Sequence, residues 1–135
     1  MRRSAEITAL ILFSLNFLFH VTILIGLTPS GIVWGSRIES ESQFYLLESL
    51  SLLFNGLFIA VMLSRLSFWP SPLSPKFLRI CLWFMAIFFL LNSLGNVLSK
   101  NSFEQLVFTP LTLILSVSLF LSLWAESKSK RQRLT

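Results

Sequence analysis

Four long stretches of this chain contain no Lys, Arg, Asp or Glu, and they constrain the fold more than any other feature. They cover residues 7–36, 49–64, 80–99 and 105–125. A helix needs about 20 mainly apolar residues to cross the hydrocarbon core of a bilayer. We therefore predict helices at about residues 6–27, 44–66, 77–98 and 105–125. The expected fold class is all-α, an antiparallel bundle of four transmembrane helices that forms a single domain over residues 1–135.

The composition supports a membrane protein. Hydrophobic residues make up 54% of the chain, and the mean hydropathy is +0.76. A water-soluble domain of this length could not bury so much apolar surface. Met1-Arg2-Arg3 resembles the start of a cleaved signal peptide, but the apolar stretch that follows is too long for one and no small-residue cleavage site comes after it. We therefore expect the first helix to be retained.

The positions of the cationic residues predict the topology. Lys and Arg in short loops beside membrane helices are retained on the cytoplasmic side. Nine of the eleven Lys and Arg residues of the chain fall on one side of the predicted bundle: Arg2, Arg3, Arg65, Lys76, Arg79, Lys128, Lys130, Arg131 and Arg133. We predict a plasma (bacterial inner) membrane protein with both termini cytoplasmic. The basic tail is then a topology signal that contacts membrane lipids, and we expect no nucleic-acid partner.

The polar residues inside the helices fall in the outer half of each predicted span. Residues three, four or seven apart share one face of a helix. The inner halves of the helices are almost purely apolar. Polar sets with this spacing occur in the outer halves of the first three helices: Asn16 and His20; Glu48, Ser51 and Asn55; Asn92 and Asn96. Because polar groups that face lipid are costly, we expect these side chains to point into the bundle and to line a polar pocket that opens outward. The alternative for the asparagines is that they only hold the helices together by hydrogen bonds.

His20 and Glu48 are the ionisable residues of this set, and an ionisable group at membrane depth indicates a functional site. A carboxylate and an imidazole form a natural pair. Trp34 is predicted either to wall the pocket or to anchor the chain at the membrane interface. Arg37 either folds inward over Glu48 or stays in solvent. The single cysteine, Cys81, excludes an internal disulfide, and the residue pattern indicates neither a metal site nor a cofactor.

Several segments resemble a family of small four-helix bacterial integral membrane proteins of unassigned function. The resemblance rests on Val33-Trp34-Gly35-Ser36-Arg37-Ile38, Glu48, Asn92-Ser93-Leu94-Gly95-Asn96, Lys100-x-x-Phe103-Glu104 and Phe108-Thr109-Pro110-Leu111-Thr112. It covers nearly the whole chain. It implies the four-helix topology and carries no activity with it.

Three classes of function agree with these features. The first is a binding module that accepts an amphiphilic or lipid-like ligand in a pocket whose predicted residues are His20, Trp34, Arg37, Glu48, Asn55, Asn92 and Asn96. The second is an oligomeric small transporter, although a conducting path should carry polar residues across the full thickness of the bundle. The third is an accessory subunit of a larger membrane complex. We assign no catalytic residue, and the pattern favours a protein that is not an enzyme.

Overall fold

The computed structural model describes residues 1–34 and 38–132 of the chain. Helix α1 spans Arg2–Leu24, α2 spans Glu41–Arg65, α3 spans Pro75–Val97 and α4 spans Thr109–Gln132. A π-helical segment, Glu104–Phe108, leads directly into α4. Four helical segments are long and apolar enough to cross a membrane, with mean hydropathies between 2.0 and 2.2. The prediction of an all-α four-helix bundle is confirmed.

The helices extend beyond the predicted bounds where polar residues follow the apolar runs. Helix α1 begins at Arg2 instead of residue 6, and α4 continues to Gln132 instead of residue 125. An apolar run marks only the part of a helix that lies in lipid, whereas the backbone hydrogen-bond pattern continues into charged sequence. In contrast, α1 ends at Leu24, three residues before the predicted end, because Gly26 adopts the left-handed conformation with φ of 77°. Only glycine adopts that conformation without strain, and it terminates helices.

Local signals in the sequence explain where the two central helices begin. The side-chain oxygens of Ser40 and Ser74 accept hydrogen bonds from the backbone amides of Gln43 and Phe77, respectively, each at 3.2 Å. Serine at this position satisfies a backbone donor that the first turn leaves free. Pro75 follows Ser74 at the first helical position, where its missing N–H costs nothing.

The apolar core fills the half of the bundle that contains the chain termini. Helix α1 packs against α2 and α4, and α3 packs against α4. The buried cluster draws on all four helices: Ala9, Phe13, Phe58, Met62, Leu82, Met85, Ala86, Phe89, Leu115, Leu119 and Leu123. These residues lie in the first half of α1, in the second half of α2 and in the middle of α3 and α4. The predicted division into an apolar half and a polar half is therefore seen in the packing.

Helices α2 and α3 pack against each other only sparsely, and phenylalanines join them. The ring centroids of Phe58 and Phe89 are 5.7 Å apart, and those of Phe54 and Phe88 are 6.1 Å apart. Phe13 of α1 lies 5.5 Å from Phe58 and 5.2 Å from Phe89, measured between ring centroids. Aromatic pairs at such distances pack favourably. These rings form a layer, here called the phenylalanine layer (Phe13, Phe58 and Phe89), that closes the apolar half of the bundle.

The π-helical segment accommodates Pro110 at the start of α4. The backbone N–H of Thr109 donates to the carbonyl of Glu104, five residues earlier. Pro110 is the second residue of α4, but the helical run already begins at Ser102 and continues through the π-helical segment, so Pro110 lies inside a continuous helix. Single π turns inside α-helices occur often at functional sites. Here the π turn lies at the depth of the polar half and presents Glu104 and Phe108 to the interior.

Candidate functional site

Glu48 joins three segments of the polar half by hydrogen bonds. Its Oε2 atom lies 2.8 Å from Nδ1 of His20 on α1, and its Oε1 atom accepts a hydrogen bond of 2.8 Å from Nε1 of Trp34. Glu48 is fully buried, and its residue position lies well inside the continuous helix α2. A buried carboxylate needs such charge-assisted partners because an unpaired one is very costly. The predicted pairing of His20 with Glu48 is thus present.

Trp34 adopts a backbone conformation that is rare for a residue with a side chain. Its φ is 61°, in the left-handed region. Non-glycine residues in this region cost of order 1 kcal/mol or more and persist where the surroundings hold them. The hydrogen bond from the Trp34 indole to Glu48 is one such restraint, and the His20 and Trp34 rings lie 6.5 Å apart. The predicted interfacial tryptophan is therefore a part of the Glu48 network.

An asparagine pair links α1 to α2 one turn deeper. Nδ2 of Asn55 donates to the backbone carbonyl of Ser51 at 2.8 Å, which fixes the orientation of the Asn55 amide. Its Oδ1 atom then accepts a hydrogen bond of 3.0 Å from Nδ2 of Asn16. Both asparagines are buried, so this contact is a true interhelical bond. The bond between Asn16 and Asn55 does not use Oδ1 of Asn16, which remains a hydrogen-bond acceptor.

On the opposite side, Asn96 of α3 contacts Thr112 of α4. Oγ1 of Thr112 donates to the carbonyl of Phe108 at 2.6 Å, so it accepts the 3.3 Å hydrogen bond from Nδ2 of Asn96. A threonine hydroxyl has only one hydrogen to donate, which settles the direction of this bond. Asn92, one turn earlier on α3, is exposed and makes no hydrogen bond within the described part of the chain.

Glu104 is a buried carboxylate that the sequence-based site did not include. Glu104 immediately precedes the predicted fourth helix, and the structure places it in the π-helical segment, where it is 7% exposed. Oγ of Ser99 donates a hydrogen bond to Oε2 of Glu104. The spacing of Ser99 and Glu104 across a short connection gives no periodic signal. Only the folding of the π turn brings the carboxylate inward.

These polar groups surround a cavity of about 310 Å³ in the outer half of the bundle. This volume lies at the lower end of the range for small-molecule sites, about 300–1,000 Å³. Its polar lining comes from all four helical segments: Asn16, His20, Trp34, Ser51, Asn55, Asn92, Asn96, Glu104 and Thr112. Its apolar lining is mainly aromatic: Val33, Leu47, Leu50, Phe54, Phe58, Phe88, Phe89 and Phe108.

The cavity reaches the surface between α2 and α3. On those two helices the lining residues Leu50, Phe54, Phe88 and Asn92 are exposed. The lining residues from α1 and the α4 segment are instead buried or half-buried. Because α2 and α3 are also the sparsely packed pair, the opening faces sideways. In a membrane, that side of the bundle adjoins lipid.

Six of the seven predicted site residues lie within the described part of the chain. Five of these line the cavity: His20, Trp34, Asn55, Asn92 and Asn96. Glu48 does not line the cavity in the described structure; it lies behind His20 and Trp34 and holds both. Arg37 lies outside the described residues, so its predicted contact with Glu48 stays a prediction. The hypothesis that the asparagines only pack helices describes Asn16 and Asn55 well, but not Asn92.

His20 is the lining residue with the clearest chemical capacity. Nδ1 of His20 is occupied by Glu48, so Nε2 is the ring nitrogen that remains for a ligand. Within residues 1–34 and 38–132, Nε2 of His20 makes no hydrogen bond. In the same residues, Thr109 Oγ1 is the one side-chain nitrogen or oxygen atom that is fully enclosed and has no partner, so Nε2 of His20 is not fully enclosed. Nε2 is therefore accessible from the cavity. Among the described residues, no three His, Cys, Asp or Glu side chains lie close enough together to hold a metal ion.

A second polar cluster, which the sequence-based interpretation missed, lies at the terminal end of the bundle. Nη2 of Arg65 lies 2.8 Å from Oε1 of Glu6 and 2.8 Å from Oε2 of Glu126. Oγ of Ser122 donates to the same Glu6 oxygen at 2.8 Å. Glu6 is 1% exposed, so this is a buried ion-pair network (Glu6, Arg65, Ser122 and Glu126). It joins the start of α1, the end of α2 and the last turns of α4.

A comparison of the chain with protein-family models, with curated proteins and with solved structures found no match. The resemblance to small four-helix bacterial membrane proteins therefore stays a prediction. The fold and site described above rest on the geometry of this chain alone.

Proposed function

We propose that this chain is a membrane protein that binds one amphiphilic, lipid-like molecule in the cavity between the outer halves of its helices. The observation that carries the proposal is a cavity with hydrogen-bonding groups from all four helical segments, phenylalanine rings on α2 and α3, and an opening between α2 and α3. Ligand sites typically combine an apolar lining with a few convergent polar groups. The polar end of the ligand contacts His20 and Asn96, and its apolar part leaves past Phe54 and Phe88.

The position of the opening supports a ligand that comes from the bilayer. A molecule that passes between α2 and α3 enters from lipid, so its tail never has to cross water. The rings of Phe54 and Phe88 lie at this opening, are partly exposed, and would contact an acyl chain. Burial of apolar surface that is already in lipid gains little, so packing and hydrogen bonds supply the selectivity.

The phenylalanine layer argues against a conducting path through one chain. Phe13, Phe58 and Phe89 lie below the cavity with 0–5% exposure, and the hydrophobic cluster to which they belong separates the cavity from the Glu6–Arg65 network at the terminal end. A conducting path needs polar groups at intervals through the whole thickness. The transporter alternative would therefore require either an oligomer or a different conformation. An accessory-subunit role draws support from no specific contact.

The same proposal includes the location of the chain. We place it in the plasma (bacterial inner) membrane with both termini in the cytoplasm, because nine of the eleven Lys and Arg residues lie beside the ends and the α2–α3 connection. The cavity then lies in the outer leaflet. Its partners are membrane lipids, and a homo-oligomer or a larger membrane partner is an outcome that the experiment below detects.

Native mass spectrometry of the gently solubilised chain tests the binding proposal. Ser51 lines the cavity on α2, and Ser51→Phe fills it with a ring. Leu53→Phe is the matched control, since Leu53 lies on the same helix, is 57% exposed and does not line the cavity. We expect one retained lipid-like molecule per wild-type and Leu53→Phe chain and none per Ser51→Phe chain. Equal retention by all three proteins, or a bare chain bound to a larger protein, would contradict the proposal.

A further inference from the structure

Aromatic and cationic side chains lie together on the surface of α3 and α4 at the terminal end of the bundle. The ring centroids of Trp83 on α3 and Phe120 on α4 are 5.7 Å apart. Phe120 and Trp124 are four residues apart and are therefore neighbours on one face of α4. Nζ of Lys128 lies 5.4 Å from the ring centroid of Trp124. A cation over an indole at this distance is attracted by the negative face of the ring.

Arg79 joins these side chains from α3. Its Nη2 atom donates a hydrogen bond of 2.9 Å to Oγ of Ser127, the residue beside Lys128 on α4. Arg79 and Trp83 are four residues apart, so they are neighbours on one face of α3. Each side chain thus adjoins the next around one continuous area of the surface. We call this area the α3–α4 patch: Arg79, Trp83, Phe120, Trp124 and Lys128.

The α3–α4 patch carries two positive charges that no carboxylate in the described part of the chain neutralises. The ion pairs of that part include neither Arg79 nor Lys128. Glu126 is the carboxylate nearest to Lys128 in the sequence, and its Oε2 atom lies 2.8 Å from Nη2 of Arg65. A guanidinium has several N–H donors, and the hydrogen bond of Arg79 to Ser127 uses one of them. Both cations can therefore bind an anion.

The patch continues into an apolar surface that lies deeper in the membrane. Trp83 and Trp124 are exposed, so their rings face away from the core. Ile87, four residues after Trp83, and Val117, three residues before Phe120, are exposed as well. Tryptophan is enriched at the depth of the lipid head groups. The two cations therefore lie at the depth of the head groups, and the exposed apolar residues lie at the depth of the acyl chains.

We propose that the α3–α4 patch binds one anionic phospholipid, with Arg79 and Lys128 on its phosphate and an acyl chain along Trp83. The N–H fork of a guanidinium matches the oxygens of a phosphate, and an ammonium group adds a point charge. The lipid comes from the leaflet at the terminal end of the bundle. In the proposed topology this is the cytoplasmic leaflet, whose anionic lipids are attracted to Lys and Arg beside membrane helices.

This site is independent of the cavity and of the function proposed above. None of the five residues of the patch lines the cavity, which lies in the other half of the bundle. A lipid on the patch requires no ligand in the cavity. The two proposals can therefore fail separately.

Tryptophan fluorescence in nanodiscs tests the proposal, because Trp83 and Trp124 belong to the patch. Trp69→Phe removes the exposed tryptophan of the α2–α3 connection. A parallel protein that also carries Trp83→Phe and Trp124→Phe gives the signal of Trp34, which is subtracted. The nanodiscs contain phosphatidylcholine, and the quencher is phosphatidylglycerol or phosphatidylcholine with acyl chains brominated near the ester. A lipid that binds the patch quenches saturably at a low mole fraction, whereas bulk lipid quenches in proportion to its amount.

We expect half-maximal quenching by phosphatidylglycerol at a mole fraction at least about tenfold below that of phosphatidylcholine, because two cations attract the anionic lipid. Arg79→Gln and Lys128→Gln should each raise the value for phosphatidylglycerol about fivefold, the effect of one cation. Lys128 contacts the face of Trp124, so Lys128→Gln leaves no buried group unpaired and decides the question if Arg79→Gln does not fold. Arg3→Gln is the matched control, an exposed cation at the same end of the bundle but on α1. It should change the value by less than about twofold, because solvent screens a charge outside the site.

Other outcomes would overturn the proposal in distinguishable ways. Equal quenching by the two lipids would refute a preference for the anionic one. An effect of Arg3→Gln as large as that of Arg79→Gln would assign the preference to the overall charge of the surface. Relief of quenching by inorganic phosphate would assign the patch to a soluble anion. Loss of the preferential quenching in Ser51→Phe would move the lipid to the cavity, which would refute the site on α3 and α4 and leave the proposed function standing.

Discussion

Glu48 and His20 meet through a hydrogen bond of 2.8 Å between Oε2 and Nδ1, although 28 residues separate them in the chain. Glu48 lies behind the cavity wall and His20 forms part of the wall. The carboxylate therefore contacts the cavity only through the residues that it holds. This division is typical of sites where a second layer of residues orients the groups that make contact.

The His20–Glu48 bond predicts strong energetic coupling between the two residues. We expect His20→Phe and Glu48→Leu each to lower the free energy of unfolding by about 1.5–3 kcal/mol, because each leaves a buried polar partner unsatisfied. The double variant should be destabilised by less than the sum, with a coupling of about 0.5–3 kcal/mol. Reversible unfolding in mixed micelles measures this cycle. Additivity within about 0.5 kcal/mol would show that the contact contributes nothing of its own.

The indole N–H of Trp34 provides a second prediction. Trp34→Phe keeps an aromatic ring but removes the donor to Glu48, so we expect a loss of about 1–3 kcal/mol in the free energy of unfolding. Trp69→Phe is the control, because Trp69 is 65% exposed and should change stability by no more than about 0.5 kcal/mol. Unfolding of both variants can be followed by circular dichroism. Equal stability of the two would contradict a restraining role for the Trp34–Glu48 bond.

The ion-pair network at the terminal end predicts that Arg65 is important for stability. Arg65→Leu leaves Glu6 and Glu126 without their shared guanidinium, and we expect a loss of about 3–5 kcal/mol, the cost of breaking a buried pair. Arg79→Leu is a matched control on the same face of the membrane, because Arg79 makes an exposed 2.9 Å hydrogen bond to Ser127. Its loss should cost about 1 kcal/mol or less. Melting temperatures in detergent compare the two, and similar shifts would refute the distinction.

Cysteine labelling in intact bacterial cells tests the proposed topology. With Cys81→Ser as background, Ser42→Cys lies at the start of α2 and Ser129→Cys lies near the end of α4, and both positions are exposed. We expect a membrane-impermeant maleimide to label Ser42→Cys in whole cells and Ser129→Cys only after lysis, because the cationic residues retain the termini inside. The reverse pattern would invert the orientation and move the cavity to the inner leaflet.

Particular residues show how far a sequence can predict this fold and its candidate site. His20 and Asn16 share a face of α1 because they are four residues apart, and that face does turn inward. Glu6, Arg65 and Glu126 stand at the ends of apolar runs, where charged residues normally face solvent or lipid head groups. Nothing in their spacing indicates that they meet, because contacts between distant residues depend on how neighbouring helices rotate about their axes.

Sequence alone determined the class of the protein, the number of helices and the division into an apolar and a polar half. These features follow from the length and hydropathy of each apolar run, because each helix by itself must match the thickness and the apolar interior of the bilayer. The tertiary structure decided that Glu48 stands behind His20, that Glu104 turns inward and that the cavity opens between α2 and α3. Those features depend on helix rotation, on the π turn before α4 and on the sparse packing of two helices, and all three arise only when the segments pack together.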